Sequence, residues 1–355
     1  MGFCKVHFQR TSSISGWRIL VSRVLALMIA VGMGGAAMAA AGHNVPQLMW
    51  EVVDGSFGTE FGLEDLGLLV SPLVFTGLAA AITLRMGLWN IGAEGQFYAG
   101  AVCASAIGLF YHGSTTIILV AMALAGIIGG AAWICIPAVA RAFLEVNEII
   151  TTLLMNFVAI LLVNALCTGP WRDKSQAITS ATAAIPYKVP ELAGDLHWGI
   201  GVAVVVAIAV ALTLSFTKWG FEVRMAGANR EAAVYAGVPV RRRLLQVMLL
   251  SGGVAGLAGM LEVAGTVHHL QGGISNNFGY LGVVVAVIAS ATPIAVIPAA
   301  ILMALILNAG IVLQSHGVST YEVLSVTGLI LFFVAVGEQL AHYQLTTIAP
   351  RKARP

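Results

Sequence analysis

Long apolar stretches separated by short polar segments recur along the whole chain. A run of about 20 apolar residues is enough for a helix to cross a hydrocarbon core roughly 30 Å thick. The pattern therefore predicts about ten membrane-spanning helices. The predicted spans are residues 19–41, 66–84, 91–110, 115–140, 148–168, 197–216, 244–264, 279–291, 294–313 and 321–341.

The eighth predicted span, residues 279–291, is short for a membrane-spanning helix. At 1.5 Å per residue it reaches about 20 Å, and Pro293 and Pro298 interrupt the segment that follows. A short, proline-bounded helix is typical of a half-helix beside a transport pathway. Packing against neighbouring helices explains it equally well.

The first predicted span, residues 19–41, shares features with a signal peptide. Lys5, Arg10 and Arg18 precede it, and small residues lie near its end. Its apolar run is longer than the roughly 7–15 residues of a signal sequence. An uncleaved anchor is therefore expected rather than a cleaved signal.

Composition supports a membrane protein as a whole. Hydrophobic residues make up 59% of the chain, charged residues 10%, and the mean hydropathy is +0.91. A soluble domain carries about 25% charged residues, so this chain lacks the charge to cover a water-facing surface. The expected fold class is an all-α, polytopic transmembrane helix bundle. The four cysteines form no Cys-x-x-Cys pair and are expected to be free thiols.

The distribution of basic residues predicts the orientation, because cytoplasmic loops are enriched in lysine and arginine. With both termini in the cytoplasm, fifteen of the 18 basic residues lie inside, and only Arg172, Lys174 and Lys188 lie outside. The predicted organisation is a cytoplasmic arm at 1–18, a transmembrane domain at 19–341 and a basic cytoplasmic tail at 342–355. The long cytoplasmic loop lies at 217–243, and the expected location is the inner membrane.

The long cytoplasmic loop contains the signals of a short helix. Asn229 is a good N-cap, and Glu231 lies in the first turn, where the helix dipole favours a carboxylate. Gly237 can adopt the left-handed conformation that ends a helix, and Pro239 prevents its continuation. From these signals alone, a short helix and an ordinary basic loop are equally supported.

Polar residues cluster at the ends of the third and fifth predicted spans. Ionisable groups in a membrane are costly, and they usually line a cavity or pair with another group. Taken singly, each residue is best explained by hydrogen bonding between helices, whereas the set as a whole favours a polar pathway. The candidates are Asn90, Glu94, Gln96, Asn147, Glu148, Thr151, Thr152 and Asn156.

Other chemistry finds little support in the residues. No Gly-x-x-x-x-Gly-Lys-Ser/Thr run is present, so any ATP must bind to another chain. The glycine cluster at residues 252–259 lies in an apolar span, where close helix packing explains it. Glu262, His268 and His269 are too few for a metal site. No aspartate lies inside a predicted span, which disfavours an intramembrane hydrolase.

Three segments resemble a known family of transporters. Glu231-Ala232-Ala233 followed by Gly237 resembles the EAA loop of ABC-importer permeases, although the isoleucine and Leu-Pro of the full signature are absent. Segments 87–97 (GLWNIGAEGQF) and 145–157 (EVNEIITTLLMNF) resemble hallmarks of the branched-chain-amino-acid/simple-sugar permease family. Within this family, the chain most resembles the nucleoside-transporting branch. That branch has two paired permeases, and the chain is more similar to the larger one. The resemblance extends over about residues 66–336.

This resemblance implies a subunit without catalysis of its own. The expected partners are a cytoplasmic ATPase that holds ATP and Mg²⁺, a second permease and an extracytoplasmic solute-binding protein. Gly237 and Ala233 are expected to face a groove of the ATPase. A nucleoside or related ribosyl compound is the expected solute. The alternative solutes are a simple sugar and a branched-chain amino acid. The alternative class of protein is an ion-coupled secondary transporter.

Overall fold

The computed structural model describes residues 5–10, 16–175, 180–341 and 343–348. Arg351, Lys352 and Arg354 of the predicted tail lie outside the described residues. The helices are α1 Gly16–Ala40, α2 Val45–Val53, α3 Glu60–Leu84, α4 Ala93–Phe110, α5 Thr115–Leu144, α6 Glu148–Thr168, α7 Gly199–Phe216, α8 Lys218–Ala228, α9 Arg230–Tyr235, α10 Val240–Leu261, α11 Phe278–Ile288, α12 Pro293–Ser315 and α13 Thr320–Ala341.

Short strands and π-helical turns complete the described elements. Strands β1 (Lys5–Arg10) and β4 (Tyr343–Ile348) pair antiparallel, as do β2 (Glu191–Ala193) and β3 (Leu196–His197). The π-helical turns are Asp54–Gly58, before α3, and Glu262–Val267, which extends α10.

Helices lie at all ten predicted span positions. Six of the described helical segments are long and apolar enough to cross a membrane: α3, α5, α6, α7, α10 with its π-helical extension, and α12. The remaining four positions correspond to α1, α4, α11 and α13. The all-α polytopic bundle is therefore confirmed, while the number of spans and the side on which the termini lie stay predictions.

Contacts divide the chain into two units, residues 54–309 and residues 1–53 with 310–355. In the second of these, α1 and α13 pack along each other. Its buried cluster consists of Met38, Val318 and Val323. The apolar faces of the two helices thus form a small core of their own.

The 54–309 unit is held together by the close approach of α4, α5 and α10. A Cβ at Gly256 of α10 would overlap the backbone carbonyl of Gly126 on α5, and a Cβ at Gly100 of α4 would overlap the Gly256 backbone. Apolar helices in a membrane gain stability from such close packing. The prediction that the glycine cluster at 252–259 serves helix packing is confirmed.

Basic residues from separate loops gather at one end of this unit. Arg85, just after α3, donates through Nε to the carbonyl of Ala291 at 2.6 Å. Arg230 lies 3.9 Å from Glu145, at the end of α5. These loops are those that the charge pattern assigned to a common side.

The other end of the same unit is closed by extended backbone. The N–H of Thr182 donates to the carbonyl of Leu270 at 3.0 Å, and the N–H of Val189 donates to the carbonyl of Ala264 at 2.9 Å. These bonds satisfy the backbone groups of non-helical segments that lie between helices.

The short eighth helix ends earlier than predicted. Helix α11 stops at Ile288, and Ser290 and Ala291 adopt positive φ angles of 48° and 53°. Pro293 was expected to interrupt the next span, but it does not. It is the first residue of α12, where its missing N–H costs nothing. Helix α11 is thus only 11 residues long.

Candidate functional site

The predicted cytoplasmic helix is present as α9. Asn229 has extended backbone angles, and its side-chain oxygen accepts the N–H of Ala232 at 3.0 Å. Glu231 lies in the first turn. Gly237 has a φ of +80° and follows the end of the helix. The sequence signals at Asn229 and Gly237 therefore act as predicted.

The exposed face of α9 differs from the expected one. Ala233 is completely buried against its own chain, so the expectation that it faces a partner is wrong. Tyr235 is 97% exposed and Val234 is 59% exposed. Together with Arg230 and Glu231, these side chains line an open depression of about 480 Å³. The exposed face of α9 thus combines apolar and aromatic side chains with one basic and one acidic residue.

An ion pair that the sequence did not indicate anchors α8 to α10. Arg243 donates through Nε to Glu222 at 2.5 Å, with both side chains largely buried. Arg243 also donates to Gln246 at 2.7 Å, and Trp219 donates to the same Gln246 oxygen at 3.0 Å. The loop that carries α9 is therefore fixed to the membrane helix that follows it.

A second set of charges connects α9 with the corner between α5 and α6. Arg230 is 3.9 Å from Glu145, which ends α5 in the left-handed conformation with φ 54°. Glu148 starts α6 and lies 3.0 Å from the Nε of Arg141, without the alignment of a hydrogen bond. Its other oxygen accepts the N–H of Trp89 at 3.4 Å. This corner thus contacts both the α9 loop and the segment before α4.

The segment before α4 is held by a network of buried amides. The side chains of Asn90 and Gln96 donate to each other at 3.0 and 2.9 Å. Asn90 also donates to Ser251 of α10 at 2.8 Å, and its oxygen accepts the N–H of Gly92 at 2.9 Å. Both amides are almost fully buried, so these bonds replace those with water.

Asn156 joins the same segment from α6. Its side-chain oxygen accepts the N–H of Gly95 at 2.8 Å, and its side-chain nitrogen donates to the carbonyl of Ile91 at 2.9 Å. The hydroxyl of Tyr280 also interacts with this side chain. Asn156 is completely buried, at the junction of α4, α6 and α11.

Glu94 caps the short helix α11. Its carboxylate accepts the N–H of Gly279 at 2.8 Å, and it also bonds to the hydroxyl of Ser275. Asn277, at the N-cap position, has no capping side-chain bond. A carboxylate from α4 thus supplies the acceptor that α11 lacks, and the helix dipole favours its charge there.

The remaining candidates do not join this network. Asn147 is exposed and caps α6 by accepting the N–H of Ile149 at 2.8 Å. The hydroxyls of Thr151 and Thr152 donate to carbonyls of the preceding turn of α6. The structure therefore brings together Asn90, Glu94, Gln96 and Asn156, whereas Asn147 and Thr151 lie apart at the start of α6.

Ser251 and Ser275 belong to the network but were not among the candidates. Ser251 is a lone hydroxyl inside an apolar span, a signal that would have found it. In this conformation every amide of the network bonds to protein groups. The network holds the start of α4 and of α11 in place.

A further polar group lies at the opposite end of the unit. The Nε2 of His197 is 3.3 Å from the hydroxyl of Thr266, which lies 3.5 Å from Glu262. Among the described residues, no group of three or more histidine, cysteine or acidic side chains is placed to hold a metal ion.

These features define a membrane-embedded transport subunit, with a helical bundle, a buried polar network and an exposed helix in a basic loop. The family of branched-chain amino acid transport system permease components matches residues 62–335. The chain belongs to this family. It is accordingly a multi-pass protein of the bacterial inner membrane and acts as the permease component of an ABC transporter.

Relatives of this chain carry several different solutes. It is 30% identical to a glucose ABC transporter permease protein of Haloferax volcanii, over 94% of this chain and 91% of that protein. It is 30% identical to a guanosine ABC transporter permease protein of Bacillus subtilis, over 80% and 83%. A nucleoside ABC transporter permease protein of Lactococcus lactis is 25% identical over 88% and 90%. No solved structure is significantly similar.

Proposed function

We propose that this chain forms one half of the translocation pathway for a nucleoside or related ribosyl solute. The observation that carries this proposal is its similarity, over at least 80% of its length, to permeases named for guanosine and for nucleosides. The sequence motif at 87–97 resembles the same branch. The buried amides of Asn90, Gln96 and Asn156 supply donors and acceptors of the kind that a base or a ribose requires.

The proposed orientation places both termini and the α8–α9 loop in the cytoplasm, with about ten spans in total. The end that gathers Arg85, Arg230 and Arg243 would then face the cytoplasm, in agreement with the positive-inside rule. The proposed permease domain comprises residues 19–341 and includes the coupling loop at 217–243. The arm at 1–18 and the tail at 342–355 flank this domain.

The proposed partners follow from the family. A cytoplasmic ATPase binds ATP and Mg²⁺, docks on α9 and hydrolyses the nucleotide. A second permease, expected to be a paralogue, completes the pathway, and an extracytoplasmic protein delivers the solute. The proposed ATPase-coupling residues are Asn229, Glu231, Ala232, Ala233 and Gly237, with Ala233 supporting the helix from within.

The geometry supports a route for the conformational change. Movement of α9 would act on Glu145 through Arg230, and on α6 through the same corner. Glu148 contacts the segment before α4, and Asn156 on α6 contacts it again. A shift of α6 would therefore loosen or tighten the network that holds α4 and α11. Such a two-state element is what alternating access requires.

Glucose is the second candidate solute, because the relative from Haloferax volcanii is named for it and aligns with 94% of this chain. Cells that carry this permease with its cognate partners should take up labelled guanosine or uridine, and a large excess of unlabelled nucleoside should strongly reduce the signal. Uptake of glucose with no uptake of nucleosides would contradict the nucleoside assignment. Uptake that persists without ATP would contradict the ABC mechanism and favour an ion-coupled transporter.

A further inference from the structure

Two arginines from distant parts of the chain share one pocket at the basic end of the 54–309 unit. Arg85 follows α3 and Arg224 lies on α8, and both are partly buried. The pocket has a volume of about 260 Å³. It is also lined by Ser215, Thr292, Leu214 and Ile294.

The positive charge of this pocket is not neutralised from within. The Arg85 guanidinium donates to the carbonyl of Ala291 at 2.6 Å and to the hydroxyl of Thr292 at 2.9 Å, which are uncharged acceptors. In the described part of the chain, neither arginine has a carboxylate partner, and the Arg224 side chain makes no hydrogen bond. Burial lowers the pKa of Arg85, and the charge of Arg224 lowers it further. Two like charges held together therefore lack a counter-ion.

Three other arginines of the same end have carboxylate partners within the chain. Arg243 is paired with Glu222, Arg141 with Glu148, and Arg230 with Glu145. The pocket at Arg85 and Arg224 is thus a site where an anion from outside the chain would complete the structure, with the hydroxyl of Ser215 as a further donor.

The surroundings of the pocket indicate what kind of anion this is. Ile294 is 49% exposed on α12, and Leu214 and Ala211 form the wall on α7. Beside them, α7 exposes Leu212 and Phe216, as expected for a surface in contact with acyl chains. A soluble phosphate would use the arginines but not these apolar groups, whereas a phospholipid uses both.

We infer that this pocket binds the headgroup phosphate of an anionic phospholipid, whose acyl chains lie along α7 and α12. Basic pockets between membrane helices on the cytoplasmic side are suited to such lipids. The inference rests on the proposed orientation, which places the pocket at the cytoplasmic interface. The bound lipid would also connect three elements, namely the end of α3, the start of α12, and α8. Helix α8 is the helix that precedes α9.

Native mass spectrometry of the full chain, purified with its partners in mild detergent, tests this site. The parent should retain phosphatidylglycerol or cardiolipin and release phosphatidylcholine. Arg224→Gln, which breaks no hydrogen bond among the described residues, should weaken retention at least about fivefold. Ala211→Trp fills the apolar wall without removing charge and should weaken it as well. Arg242→Gln, an exposed residue at the same end, is the matched control and should retain lipid like the parent.

Three results would overturn the inference. Equal retention by the parent and Arg224→Gln would show that the arginines bind no lipid. Binding of glycerol 3-phosphate as tight as that of phosphatidylglycerol would indicate a soluble anion. Loss of the ATPase in Arg224→Gln with unchanged lipid retention would indicate a protein contact. None of these results depends on which solute is transported, so failure here is distinguishable from failure of the proposed function.

Discussion

The carboxylate of Glu94 on α4 accepts a hydrogen bond from the backbone N–H of Gly279 at 2.8 Å. The two residues are 185 positions apart in the sequence, and the bond places a negative charge at the start of the short helix α11. A Cβ at Gly279 would overlap the backbone of Glu94, so the helices approach as closely as they can. The position of α11 thus depends on one carboxylate of α4.

Removing this charge should destabilise the bundle. Glu94→Gln keeps the shape of the side chain but replaces one carboxylate oxygen by an NH2 group. One of the two hydrogen bonds, from Ser275 or from Gly279, then loses its acceptor. Bonds to a charged group contribute about 1.5–3 kcal/mol, and we expect a lower unfolding temperature in detergent. Glu60→Gln, an exposed acid in the first turn of α3, is the control. Equal unfolding temperatures for Glu94→Gln and the parent would contradict the capping role.

Asn156 should be required for stability as well as transport. Asn156→Leu has a similar volume but leaves the N–H of Gly95 and the carbonyl of Ile91 without partners. Each unsatisfied buried group costs about 1–3 kcal/mol, so the amount of protein in the membrane should fall. Uptake should therefore be measured per molecule.

Asn164→Leu, at an exposed position on the same helix, is the matched control and should accumulate normally. If Asn156→Leu accumulates and unfolds like the parent while uptake is lost, Asn156 acts on the solute and not on the network.

Local features of this fold could be predicted, because each depends on neighbouring residues. Asn229 and Gly237 carry the signals of a cap and a left-handed turn, and both act as predicted. The apolar runs located every long helix. The two π-helical turns and α2 were not predicted, since they do not follow a simple period of apolar residues.

The candidate site could be predicted only as a set of residue types. The sequence indicates that Glu94 is unusual, but its partners Ser275 and Gly279 follow from the packing of distant helices. Asn147 and Asn156 are both asparagines, but they occupy different positions. Asn147 is the N-cap of α6, whereas Asn156 lies about two turns inside the helix. The ion pair of Glu222 with Arg243 likewise depends on how α8 folds back on α10.

The orientation can be tested with single cysteines in a variant whose four native cysteines are replaced. Ser180 is exposed at the end that carries β2 and β3, and Ala228 is exposed beside α9. A membrane-impermeant thiol reagent should label Ser180→Cys in intact cells and Ala228→Cys only after permeabilisation. Ser56 lies in a predicted outer loop but is buried beside Asn308, so Ser56→Cys should react poorly from either side. Labelling of Ala228→Cys from outside would contradict the orientation.

The end of α9 allows a test of the coupling loop that leaves the membrane helices unchanged. Gly237 has a φ of +80°, and no atom lies within 4 Å of the place where a Cβ would be. A substitution there meets no clash within the chain, so any effect on the fold of this subunit arises from backbone strain. A β-branched residue in the left-handed region costs about 1–3 kcal/mol, whereas asparagine tolerates it. We therefore expect Gly237→Val to distort the end of α9 and Gly237→Asn to preserve it.

Both variants should insert and unfold like the parent, because residue 237 is exposed and lies outside the membrane helices. Gly237→Val should co-purify with less ATPase and show weaker solute-stimulated ATP hydrolysis. Tyr235→Ala, which removes the most exposed side chain of α9, should reduce docking without strain. If Gly237→Val and Tyr235→Ala both bind the ATPase as the parent does, α9 is not the coupling element. The contact between Arg230 and Glu145 then has no part in transmitting the ATPase cycle to α6.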